Sequence, residues 1–212
     1  KKEAIYEPEF GDMLGLSCMH QFRRGRLADL VSLLSGRNFK TKEYQEDIVV
    51  DSYQKLDQGI LNFINEYNFK QFLLAIKGAG FISNKLLNSN MTLDVAYTLY
   101  LILASTPEIP KDQIKRFVQK WFVLSTLTSR YTASPESQMH RDMQSIEEKG
   151  FLNFFAEIEA SALSESFWRV TLPQNLETSS VNSPGFRAFL AAQVYCHSDS
   201  LFMNGMEVRD LL

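Results

Sequence analysis

The sequence predicts an all-α fold, an irregular multi-helix bundle of about eight to ten helices. Three observations lead there. Proline is scarce (6 of 212 residues) and glycine modest (10), and both fall mainly between apolar-periodic segments, as punctuation does in a helical chain. Apolar side chains recur at three- and four-residue steps, the period of one helix face. Strand signals are nearly absent. The β-branched run Ile48-Val49-Val50 lies inside a helical pattern and reads as helix.

Taken in order, Phe10 to Phe22 is a mostly apolar helix that runs into Arg23-Arg24-Gly25-Arg26. A short helix from Leu27 to Leu34 stops at Ser35-Gly36, with glycine where a C-cap wants positive φ. Tyr53, Leu56, Ile60, Phe63, Ile64 and Tyr67 form one apolar stripe, which predicts a long amphipathic helix from about Lys42 to Tyr67. Asn68 separates it from Phe69–Ile76, which ends at Gly78-Ala79-Gly80. Thr92 is the expected N-cap of an apolar helix, Leu93 to Ala104. Pro107 and Pro110 close that helix, and helical spacing resumes from Lys111 through Leu124. Ser134-Pro135-Glu136 reads as an N-cap with proline in the first helical position. Helices over Gln138–Lys149 and Phe151–Leu163 follow. Pro173 to Ser183 is polar and reads as a mobile loop, after which Ser183-Pro184 opens a last helix through Val194.

Composition narrows the function classes. A hydrophobic fraction of 45% and a charged fraction of 22% are ordinary for a globular chain. Sixteen Phe, 8 Tyr and 2 Trp supply bulk for a core, so no staple or metal is required to form one. The net charge of −3 argues against a surface built wholly to hold nucleic acid, though not against one local basic stripe. No apolar run approaches the ~20 residues that cross a bilayer, so no membrane partner is expected. The two cysteines, Cys18 and Cys196, lie near opposite ends among apolar residues and read as buried thiols in a reducing, cytoplasmic compartment. The chain opens at Lys1 without Met and reads as a piece of a longer protein.

No self-sufficient catalytic constellation is visible. His20, His140 and His197 lack neighbours at metal-ligand spacing and read as surface or capping residues. There is no phosphate-cradling glycine loop and no nucleophile elbow. Glu157 and Glu159 are two apart and point to different sides of a helix. No metal site and no cofactor site are expected within the chain.

Two features stand out. Arg23, Arg24 and Arg26 are three cations in four residues at a helix end. There they complement the helix dipole, or else contact nucleic-acid phosphates together with Arg37 and Lys40. The second feature runs from Trp121 through Arg130 and Tyr131 to Glu136, Arg141 and Asp142. An Arg–Asp or Arg–Glu pair across that turn would lock two helices at a fixed angle. The alternative gives Arg130 or Arg141 a phosphate from another domain.

The block Lys120-Trp121-Phe122, Ser129-Arg130-Tyr131, Glu136 and Arg141-Asp142 resembles the central helical region of the GmrSD-type modification-dependent restriction endonucleases. Pro184 to Ala192 and Met206 to Leu212 agree with it. In that family a ParB-like domain with an Asp-Gly-Gln-Gln-Arg motif lies upstream, and an HNH-type nuclease domain with a His-His motif follows. Neither motif occurs here, so none of the family's catalytic residues has a position in this chain. The resemblance covers roughly residues 90–212 well and the first 90 more loosely. It divides the chain into an N-terminal helical part, 1–90, and a helical bundle, 91–212.

The resemblance implies a non-catalytic connector, with the flanking domains of the same protein as its partners. Nucleotide and a divalent metal belong to those domains, and the whole protein would be a nucleotide-dependent DNA endonuclease acting in phage defence. Two alternatives from other classes are a DNA-contacting module built on the arginine cluster and a homodimerisation domain built on the long helix from Lys42 to Tyr67.

Overall fold

Helices follow the periodicity nearly element for element in the computed structural model, which describes residues 5–39, 41–87, 89–177, 180–201 and 203–212. Ten α-helices and no strand occur among the described residues: α1 Phe10–Phe22, α2 Leu27–Leu34, α3 Glu46–Phe63, α4 Glu66–Gly78, α5 Asn90–Ala104, α6 Lys111–Leu127, α7 Pro135–Lys149, α8 Phe151–Ala162, α9 Leu172–Leu176 and α10 Pro184–Tyr195. The all-α class is therefore established. Extended pairing is limited to two isolated bridges, Arg37 with Tyr44 and Asp199 with Glu207. No helix among the described residues is long and apolar enough to cross a membrane.

Local capping chemistry explains where the expectations hold. α1 ends at Arg23 in the left-handed region, with its N–H donating to the Met19 carbonyl. Gly36 takes the expected positive φ of 89° after α2. Ser183 accepts from the Phe186 N–H and opens α10 with Pro184 in its first turn. Ser134 precedes Pro135 as expected, although its hydroxyl makes no capping bond.

Four expectations are corrected. The long helix does not run from Lys42 to Tyr67. It spans Glu46–Phe63, and the break falls at Asn65, whose side chain accepts from the Asn68 N–H and starts α4. Asn68 is thus inside a helix, where its amide donates to the Asn62 carbonyl and ties the two helices together. α5 starts at Asn90 with Ser89 as cap, its Oγ taking the Met91 N–H before Thr92 is reached. Pro173 belongs to α9 and not to a loop. A proline near a helix start loses no needed donor, but it cannot bond back into the preceding turn, and there the chain widens into a π-helical turn, Phe167–Thr171.

The buried face of α3 also differs from the apolar stripe. Ser52, Leu56, Gly59 and Phe63 face inward, whereas Tyr53, Ile64 and Tyr67 are exposed. The reason lies in α1. A Cβ on Gly59 would sit 2.9 Å from Gln21 Cγ and 3.1 Å from Ser17 Cβ, so small residues let the two helices approach closely. Close approach between helices selects small side chains, and apolarity does not reveal it.

α5 is the innermost helix, buried continuously from Leu93 to Leu103, as expected of a helix apolar nearly all round. It packs against α1, α4 and α6, and α6 in turn packs against α4, α8 and α10. One apolar cluster extends from Tyr6 through Phe72, Tyr97 and Trp121 to Ala191, so the core crosses residue 90 without interruption. At its centre the Tyr97 hydroxyl donates to the Phe63 carbonyl at 2.6 Å, satisfying a carbonyl that the end of α3 leaves free.

Candidate functional site

The densest polar site is the corner between α6 and α7. After Leu127 the chain turns through Ser129, held at φ 50°, and re-enters a helix at Pro135. This turn brings Arg130 and Tyr131 back over Asp142, about two helical turns into α7. The Asp142 carboxylate is 2% exposed and accepts four hydrogen bonds. Arg130 is bidentate, through Nε at 2.8 Å and Nη2 at 2.6 Å. The Tyr131 hydroxyl donates to it at 2.8 Å, and Gln138 Nε2 does so at 2.8 Å from one turn earlier in α7. The Arg130 guanidinium also lies over the Trp121 ring, 5.3 Å from its centroid.

This geometry fixes the ionisation of the cluster. Burial works against the charge on Arg130, but the bonds and charge of Asp142 outweigh it and raise its pKa. Burial and the adjacent carboxylate push the Tyr131 phenol well above its ordinary range, so it stays a neutral donor. A carboxylate saturated by four fixed donors has no lone pair directed at a substrate. As chemistry the corner is a clamp.

Of the six residues the sequence singled out here, Trp121, Arg130, Tyr131 and Asp142 meet in one cluster. Arg141 is exposed and joins its edge, donating to Gln138 Oε1 at 2.9 Å. Glu136 is exposed and stands outside it. Gln138 was not singled out, although its spacing of four from Asp142 along a helix carried the signal.

The basic turn lies against the same α7. A Cβ on Gly25 would approach the His140 backbone N to 2.5 Å, so glycine lets the turn pass beneath the helix. Its three arginines part company there. Arg23 turns inward; burial lowers its pKa, Glu147 opposes that shift, and Nη1 is buried without a hydrogen-bond partner. Arg24 lies over the Phe39 ring, 4.4 Å from its centroid, and 3.9 Å from the Asp29 carboxylate. Arg26 is exposed at the start of α2, and Arg37 is half-buried beside its bridge to Tyr44. Lys40 lies outside the described residues.

Two readings of single residues change. His20 is buried and not a surface residue; its pKa is lowered to about 4 by burial first and the Arg23 charge second, against a bond to the Leu101 backbone. Cys18 is buried, its thiol pushed up to about 12 by burial, but Cys196 is exposed. A further buried pair escaped the sequence: Tyr6 donates to Asp94 at 2.6 Å, and burial raises the Asp94 carboxyl to about 6. The partners are 88 residues apart, and no local pattern links them.

Among the described residues no three His, Cys, Asp or Glu side chains converge as a metal-binding group. Compared with family models, curated proteins and solved structures, the chain matches none.

Proposed function

We propose that this chain is a non-catalytic helical connector of a DNA-defence nuclease of the GmrSD type, linking a nucleotide-handling domain to a DNA-cutting domain. One observation carries the reading. Four of the residues that carry the resemblance, Trp121, Arg130, Tyr131 and Asp142, meet in one clamp between α6 and α7, while Glu136 and Arg141 stay exposed at or beyond its edge. A signature of that kind preserves a shape, which is what a connector must keep. Nucleotide and divalent metal act in the neighbouring domains.

The test has two arms. The 212-residue chain, given duplex DNA, Mg²⁺ and nucleoside triphosphates, is expected to turn over neither substrate. Placed between the ParB-like and HNH-type domains of a GmrSD-type enzyme, in place of that enzyme's own central region, it is expected to sustain nucleotide-dependent cleavage. Robust cleavage or hydrolysis by the chain itself would sink the proposal, as would a folded chimera whose two flanking activities are uncoupled.

A further inference from the structure

Against the α6–α7 corner lies a pocket of about 450 Å³, walled by the start of α5, the end of α6, the turn into α7 and the start of α10. We infer that it binds a phosphorylated small molecule, with the phosphoryl group seated on Arg187 and Ser125 at the converging N-termini of α5, α7 and α10. The inference is independent of the connector reading.

Ser125 carries the argument first. It is 1% exposed, lines the pocket, and its Oγ has no hydrogen-bond partner. Its neighbours on α6 behave otherwise: Thr126 donates to the Phe122 carbonyl at 2.9 Å and Thr128 to the Leu124 carbonyl at 2.8 Å. A serine inside a helix can likewise share the carbonyl four residues back. A buried hydroxyl left unpaired is costly, and a ligand oxygen in the pocket would satisfy it.

Arg187 is the second observation. Its guanidinium is held from two sides by neutral acceptors, Nη1 donating to the Leu87 carbonyl and Nη2 to Asn182 Oδ1 at 2.7 Å. Its Nε is buried and unpartnered. Among the described residues no carboxylate pairs with it, and the pocket wall contains no Asp, Glu or Lys. A fixed cation without a counter-charge favours an anion.

The backbone adds to this field. Ser89 and Thr92 from the first turn of α5, Pro135 from that of α7 and Pro184 from that of α10 all line the pocket. These helices have 15, 15 and 12 residues, long enough to present a positive end. Ser89 and Ser183 cap the first turns of α5 and α10, whereas α7 has no side-chain cap on its first turn. Glu136, the nearest acid in sequence, lines the neighbouring small cavity with Asp12 and Asp94 instead. The Arg187 guanidinium, the Ser125 hydroxyl and the positive helix ends together suit the three oxygens and double charge of a phosphoryl group better than a flat carboxylate. Leu86, Met91 and Phe122 give the remaining wall an apolar surface for an organic part.

The test is calorimetric titration of the chain with inorganic phosphate, AMP and adenosine. Phosphate and AMP are expected to bind at millimolar concentration or below, AMP at least as tightly as phosphate, and adenosine far more weakly. Arg187→Gln is expected to weaken AMP at least about tenfold, and Ser125→Ala about three- to tenfold, on the strength of one hydrogen bond to a charged group. Ser125→Ala breaks none of the bonds described above and decides the matter if Arg187→Gln does not fold. Absence of phosphate and AMP binding, adenosine equal to AMP, or unchanged AMP affinity in Ser125→Ala overturns the inference.

Discussion

Removing the Asp142 carboxylate tests the clamp most directly. In Asp142→Ala the four hydrogen bonds of 2.6–2.8 Å disappear together. Arg130, whose side chain is only 15% exposed, is left as a largely desolvated cation beside an unpaired Tyr131 hydroxyl. Breaking a buried ion pair from one side costs about 3–5 kcal/mol, roughly a fifth or more of the stability of a typical domain. For a chain of this size that is a fall in Tm of roughly 6–20 °C. Urea unfolding at pH 7, followed by far-UV circular dichroism, should show the midpoint fall with the slope unchanged. Glu157→Ala is the control, since it removes only the exposed partner of Lys149 and should cost less than about 1 kcal/mol. Arg130→Met combined with Asp142→Leu should regain part of the loss, because no charge is then buried without its partner. A loss below about 1 kcal/mol in Asp142→Ala would mean the pair behaves as a solvated surface bridge, and the clamp reasoning would fail.

Three further outcomes follow from other sites. His20 is held near 4, so between about 6.5 and 4 the unfolded chain takes up a proton that the folded chain refuses; stability should drop as pH falls through that window, and His20→Gln should flatten the drop in acid titrations of the unfolding midpoint. The Asp94 carboxyl has the opposite sign: raised from 3.8 to about 6, it costs stability as pH rises through that interval and keeps costing it above. Asp94→Asn keeps an acceptor for Tyr6 and should therefore be more stable than the parent at pH 7, by up to about 3 kcal/mol, with the advantage gone near pH 4. Gly59→Leu should destabilise by about 1–3 kcal/mol or more through overpacking against Ser17 and Gln21, and an unchanged urea midpoint would show that α1 and α3 are not in close contact.

How far the sequence discloses this molecule depends on the range of the interaction responsible. The bounds of α1 and α2 follow from residues within one turn of their ends, such as the left-handed Arg23 and Gly36, and both are legible. The Arg130–Asp142 pair spans 12 residues across one turn and could be anticipated as a bridge. The break at Asn65 was misplaced by three residues because Asn65 and Asn68 are both plausible caps, and only the bond from the Asn68 N–H separates them. The inward face of α3 was hidden for a different reason. Ser17, Ser52 and Gly59 are buried by proximity to a neighbour, and nothing in their own polarity says so. The pocket of Ser125 and Arg187 joins segments far apart in the chain, and no local pattern in the sequence links a serine inside α6 to an arginine in α10.

The packing order bears on how a connector could act. α6 meets α4, α5, α8 and α10, while the clamp fastens its end to α7. An element held on so many sides has no second arrangement of similar energy, and a packed core responds by moving as a unit. Irregular backbone lies elsewhere, in the π-helical turn at Phe167–Thr171 and the short α9 that lead from α8 to α10. On the connector reading, a signal therefore crosses the domain as rigid-body displacement of the α5–α6–α7 block. Loosening the clamp should then reduce coupling between the flanking domains while leaving each of their separate activities intact. In the chimera this separates the clamp's mechanical role from a catalytic one, for which Asp142→Ala would abolish an activity outright.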